Sequence, residues 1–172
     1  GAGGWEHAVV RFLPTGKVEV VSGSTPHGQG HETSWSQIVA DKLGIDPADV
    51  TVLHSDPAIS PLGLDTYGSR SLSVGGVAIA MACDKVVDKA RLIAAHQLEA
   101  NPDDLEFVGG SFTVKGSPDK TVPIQAVAFG AFTAHNLPDG MEPNLQEQMT
   151  FDPPNFAFPF GTPGHHFEQR HV

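Results

Sequence analysis

At 172 residues, with 40% hydrophobic side chains and a mean hydropathy of −0.12, the chain is long enough to bury one core and too apolar to be disordered. Its formal net charge of −10 repels nucleic acid and anionic membrane, which excludes both as partners. A single cysteine, Cys83, excludes internal disulfides and four-cysteine metal sites, and the apolar run 74–83 is too short to span a bilayer, so a cytoplasmic protein is expected. Because the chain opens on Gly1 rather than Met, its natural N-terminus is expected to lie elsewhere.

Residues 5–13 (WEHAVVRFL) and 17–22 (KVEVVS) alternate as the two strands of a hairpin around Pro14, Thr15 and Gly16, with Ala8, Val10 and Phe12 inward and His7 and Arg11 outward. A loop of Gly, Ser, Thr and Pro follows. From about Gln29, apolar residues recur at Trp35, Ile38, Val39 and Leu43, one face of a helix that Gly44 is suited to cap. A loop opening directly onto a helix start presents unpaired N–H groups and the positive end of the helix dipole. Gly28 and Gly30 permit close approach by an anionic group, and Gln29, His31, Thr33 and Ser34 add side-chain donors. Glu32 is expected to favour the same helix start, the alternative being that it orients a ligand-binding neighbour.

Residues 46–49 turn the chain into a strand over 49–54 (DVTVLH), apolar enough to be central, and residues 55–65 form an irregular loop. Thr66, Tyr67, Gly68, Ser69, Arg70 and Ser71 then precede the longest helix, from Ser73 to about Glu99. This is a second strand, small-residue loop and helix, with Arg70 as the valuable cation of an acidic chain. Two polar helix entrances can grip one extended anion such as a pyrophosphate. The long helix carries a stripe of Ile79, Ala82, Cys83, Val86, Ala90, Ile93, Ala94 and Leu98; its Gly- and Ala-rich first half is expected to pack against neighbouring backbone, and Asn101 and Pro102 end it. Residues 104–108 and 111–115 form a hairpin across Gly109 and Gly110, and residues 123–133 a short helix with Ile124, Val127 and Ala128 inward. After a loop, residues 146–152 and 156–160 read as edge strands. Trp5, Trp35 and Met81 are expected in the core. The order of elements predicts an α+β domain, a mixed sheet with helices packed on it.

The stretch GSTPHGQGHETSWSQIVADKLGI, followed by DPADVTVLHSDPAISPLGLDTYGSRSLSVGG, resembles the molybdenum-binding large subunit of the xanthine dehydrogenase and aldehyde oxidase superfamily, nearest its aerobic carbon monoxide dehydrogenase type. The likeness runs from about Trp5 to about Gly161, including LPDGMEP and DPPNFAFPFG, and covers an interior piece of that subunit. His54, Ser55, Asp56 and Pro57 depart from the family's usual Gly-Asp-Thr-Asp type segment. The resemblance implies that residues 1–161 are part of a molybdenum cofactor-binding domain, with 162–172 an altered or truncated, disordered tail. It implies molybdopterin cytosine dinucleotide as ligand, held by Gly28, Gln29, Gly30 and His31 and by Thr66, Tyr67, Gly68, Ser69, Arg70 and Ser71. It further implies oxidation of a small substrate with water-derived oxygen, and partner subunits carrying iron–sulfur and FAD groups. The family's base glutamate lies downstream and its substrate loop upstream, so no catalytic residue is assigned here, and the isolated chain is expected to show no turnover.

Two other readings compete. His27, His31 and Glu32 offer ligands for a metallohydrolase, but His27 follows Pro26 ahead of the helix start, and the two-histidine protease motif needs its glutamate between the histidines. His165, His166 and His171 can chelate a metal adventitiously. A non-catalytic cofactor-binding or interaction domain is the alternative outside enzymes, and the sequence flanking this stretch discriminates it.

Overall fold

The computed structural model describes residues 4–60 and 62–154. Strands β1 (Glu6–Phe12) and β2 (Val18–Ser22) form the anticipated antiparallel hairpin, with Val10 opposite Val20. Alternation sends Ala8, Val10 and Phe12 into the core, while Arg11 and its cross-strand partner Glu19 pair at 2.6 Å on the opposite face. Helix α1 (His31–Leu43) crosses over to β3 (Val50–Leu53), which adds in parallel to β2, and β7 (Gln146–Phe151) adds antiparallel to the free edge of β1. The sheet is therefore mixed, in the order β3-β2-β1-β7. The expectation of a central β3 is corrected: among the described residues it is an edge strand, paired with β2 alone and half-buried along most of its length.

Helix α2 (Val77–Gln97) lies on the core face of this sheet beside α1. The predicted stripe is buried except at its end: Ile79, Ala82, Cys83, Val86, Ala90, Ile93 and Ala94 join Trp35, Val39 and Leu43 over Val10 and Val20, while Leu98, just past the helix, is half-buried. The helical path starts earlier than expected, in one wide π turn over Ser71–Gly76, and ends earlier, at Gln97, where Glu99 takes a left-handed φ of 52°. The expectation that this Gly-rich start packs against backbone is corrected to packing against side chains: a Cβ at Gly75 would lie 3.2 Å from Ser24 Oγ and 3.9 Å from Trp35, and one at Gly76 3.0 Å from Leu72. Trp35 is core as expected; Trp5 and Met81 are corrected to half-buried, each at the margin of the packed layer.

A second, three-stranded antiparallel sheet of β4 (Leu105–Val108), β5 (Ser111–Val114) and β6 (Ser117–Pro123) leads into α3 (Ile124–Phe132). The hairpin and α3 match the sequence expectation, whereas β6 was not anticipated. Arg91 of α2 fastens this sheet, donating to the Leu105 carbonyl at 2.6 Å with its guanidinium 5.7 Å from the Phe112 ring. The expected strand at 156–160 and the tail 162–172 lie outside the described residues.

Candidate functional site

Both predicted loops emerge at the same end of the sheet. The first leaves β2 and enters α1 through Gly30, whose left-handed φ of 75° lets the chain turn sharply into the helix. No side chain caps this helix start by a hydrogen bond. The second follows the irregular segment after β3 and enters the π turn before α2; Asp65 and Ser69 within it hold positive φ values of 65° and 59°. A direct bond joins the loops: the Thr25 N–H donates to Asp65 Oδ1 at 2.6 Å. Burial works against charge on Asp65, but the backbone N–H groups of Thr25 and Thr66 outweigh it and hold the carboxyl below its ordinary range.

Between the loops lies a cavity of about 500 Å³, of the size that takes a small-molecule ligand. His27, Gln29, His31 and Ser34 line one side, Thr66, Tyr67, Gly68, Ser69 and Ser71 the other, with Trp35 and Leu72 completing the wall. No carboxylate is among these residues, although the chain carries twice as many acidic as basic side chains. Amide, hydroxyl and imidazole groups at a helix entrance suit an anion, which a carboxylate would repel. A larger open depression of about 550 Å³, between Trp5, His7, Leu62, Thr150 and Asp152, has a carboxylate in its wall and neither helix entrance.

Of the sequence-predicted site residues, Gln29, His31, Thr66, Tyr67, Gly68, Ser69 and Ser71 meet at this cavity. Gly28 and Gly30 shape its first loop without lining it. Arg70 is the correction. Its side chain is fully buried, ion-paired to Glu6 at 2.8 Å, and further bonded to the carbonyls of Asp65, Gly4 and Trp5, so it offers no charge to a ligand in the cavity. Glu6 is the residue that sequence reasoning missed. It shares strand parity with Ala8, Val10 and Phe12, and a carboxylate in register with core positions signals a buried cationic partner.

His31 is the most telling group in the wall. It is 4% exposed and stacks on Trp35 with ring centroids 4.2 Å apart. Neither ring nitrogen has a hydrogen-bond partner among the described residues. Burial lowers its pKa from 6.5; Glu32 opposes that shift, as does the Ser24 backbone, which lies close by without a properly directed bond. A buried imidazole with two idle nitrogens is costly unless a partner arrives. Glu32 is engaged elsewhere, with His54 Nε2 at 2.7 Å, while His54 Nδ1 meets Ser55 Oγ at 2.7 Å. Its own backbone N–H, then His54, hold the Glu32 carboxyl below its usual range. Among the described residues no three His, Cys, Asp or Glu side chains gather as metal ligands, so His27, His31 and Glu32 do not form the metallohydrolase site. No helix among the described residues is long and apolar enough to cross a membrane.

Residues 1–168 match the family described as molybdopterin cofactor-binding domain. The chain is 43% identical over 161 residues to the carbon monoxide dehydrogenase large chain of Hydrogenophaga pseudoflava, an alignment covering 94% of this chain and 20% of that one. Against the 6-hydroxypseudooxynicotine dehydrogenase complex subunit gamma of Paenarthrobacter nicotinovorans it is 38% identical over 163 residues, with 94% and 20% covered. The crystal structure of the Cu,Mo-CO dehydrogenase in its carbon monoxide reduced state matches the fold with a TM-score of 0.83 at 40% identity, covering 87% of this chain and 19% of that one. Quinoline 2-oxidoreductase from Pseudomonas putida 86 matches at 0.77 and 35% identity, again over 87% and 19%. The chain spans about a fifth of the length of these relatives.

Proposed function

Because the chain belongs to the molybdopterin cofactor-binding domain family, we propose that its two facing loops hold a molybdopterin cytosine dinucleotide, and that residues 1–161 are part of the cofactor-binding domain of a molybdenum hydroxylase large subunit of the carbon monoxide dehydrogenase type. The observation that carries this reading is the carboxylate-free cavity between two helix entrances in an otherwise acidic chain, with His31 in its wall, whose ring nitrogens have no hydrogen-bond partner among the described residues. These residues fit the group: a pterin dinucleotide is elongated and anionic at its pyrophosphate, and donors on two sides answer both features. When bound, the molybdenum centre supplies the redox chemistry, oxidation of a small substrate with water-derived oxygen.

This chain's residues bind and orient. Gln29 and Ser34 with the start of α1 donate from one side, and Thr66, Ser69 and Ser71 from the other. Neutral His31 presents one donor and one acceptor nitrogen, and gains a proton where an anionic oxygen comes to rest against it. Buried Trp35 gives the wall an apolar backing. Electron transfer onward requires partner subunits, for which iron–sulfur and FAD-bearing chains are proposed; the relatives' names, large chain and complex subunit gamma, support a multi-subunit setting. A cytoplasmic location belongs to the same reading. The isolated chain is proposed to be inactive.

Elemental and nucleotide analysis of the intact, full-length protein tests this. Molybdenum and cytidine nucleotide in equal amounts, both depleted by Gln29→Ala combined with His31→Ala, are expected. A fully assembled protein with neither, or with both unchanged in that double variant, would contradict the assignment.

A further inference from the structure

We propose that Glu6 is a positioning residue for the cavity: with Arg70 it forms a buried latch that fixes the two loops at the spacing their ligand requires. The inference rests on the cofactor reading of the cavity and adds a residue that does not line it. Glu6 opens β1 and is fully buried. Its Oε2 accepts from Ser24 Oγ at 2.8 Å and from Arg70 at 2.8 Å, and its Oε1 accepts from the His7 N–H at 3.1 Å. Ser24 lies at the root of the first loop. Arg70 lies in the second, and it also donates to Asp65 O at 2.5 Å, Trp5 O at 2.7 Å and Gly4 O at 3.1 Å. With the Thr25 to Asp65 bond, the contacts close a circuit: β1, first loop, second loop, and back to β1.

Three features mark this circuit as a setting device. The carboxylate packs into space that two glycines leave open, since a Cβ at Gly23 would come within 2.5 Å of Glu6 Oε1 and one at Gly63 would meet the same oxygen. A buried ion pair is often replaceable by apolar side chains at no cost in stability; here such a replacement would orphan the Gly4, Trp5 and Asp65 carbonyls that Arg70 satisfies. The guanidinium also sits 5.5 Å from the ring of Tyr67, so the latch reaches the cavity wall through a lining side chain. A site fixed before its ligand arrives does not have to spend binding energy on ordering its loops.

The test uses the full-length large subunit assembled with its partners, as parent, Glu6→Gln and Ser24→Ala. Molybdenum per chain is measured in each, together with amide hydrogen exchange of protein produced without molybdate. Glu6→Gln is expected to lower molybdenum occupancy and to speed exchange in residues 24–30 and 65–71 together by about tenfold or more, leaving residues 79–94 of α2 unchanged. Ser24→Ala, which removes one hydrogen bond and no charge, gives the same pattern at about threefold to tenfold, and it decides the matter where Glu6→Gln fails to assemble. Exchange in both loops within twofold of the parent, or loosening confined to one loop, overturns the latch. A parent that carries no molybdenum while both loops loosen together would sink the cofactor reading and leave the latch standing.

Discussion

Gly44→Ala isolates how α1 is held at the end away from the cavity. Gly44 caps the helix with a left-handed φ of 65°, and an added Cβ would meet Gly110 N and lie 2.6 Å from both Gly109 C and Gly110 Cα. Two costs follow. An L-residue in left-handed conformation costs roughly 1–2 kcal/mol. The clash is with backbone on both sides, so the β4–β5 turn must retreat by close to an ångström, an overpacking cost of about 1–3 kcal/mol. The sum, about 2–5 kcal/mol, is a large part of the roughly 5–15 kcal/mol typical of a domain. Gly109→Ala is the control: φ is 55° there, but a Cβ meets nothing within 4 Å, so only the backbone cost of about 1–2 kcal/mol applies. Urea titrations followed by far-UV circular dichroism give both values. Equal losses for the two variants, or a Gly44→Ala protein within about 0.5 kcal/mol of the parent, would refute the seating of α1 on this turn.

Three further outcomes are expected. Since the His31 pKa is lowered by burial in the folded state, the unfolded chain binds the extra proton below 6.5; the stability contribution is complete above pH 6.5 and is lost as pH falls below it, so urea midpoints of cofactor-free protein decline from pH 7 towards pH 5.5 and His31→Phe flattens the decline. An unchanged slope in the variant would contradict the buried, unpaired ring. Cys83, whose thiol burial pushes up to about 12, resists alkylation at pH 8 in the native protein and reacts promptly in denaturant; rapid labelling under native conditions would place it elsewhere. Phe112→Ala, deleting a fully buried ring between β5 and α2, costs about 3–5 kcal/mol in the same urea assay, and a loss under about 1 kcal/mol would mean that the small sheet is not part of the core.

Periodicity made the larger elements legible. The β1–β2 alternation, the α1 stripe through Trp35 and Leu43, and the α2 stripe through Ile79 and Ile93 each name a face, and those faces are the ones buried together. Strand β6 was illegible for the opposite reason: SPDKTVP is polar and mostly exposed, and it is a strand because β5 offers it partners, such as Thr113 to Thr121 across a register shift. The edge position of β3 was hidden because an apolar run does not say how many neighbours it has. At the site, Gly, Ser and Thr before two helices announced the two loops, since few other contexts require that chemistry. Arg70 misled because a cation among small polar residues looks like a ligand group, while the carboxylate that claims it lies 64 positions earlier on a strand. Only the parity of Glu6 with Ala8 and Val10 hinted at the pairing.

A structure of the full-length large subunit with its cofactor bound tests the central claim most directly. One continuous anionic group is expected to touch Gln29 and His31 on one side and at least one of Thr66, Ser69 and Ser71 on the other, with Arg70 still paired to Glu6. A cofactor seated elsewhere, or another stretch of polypeptide filling the space between the loops, would contradict it.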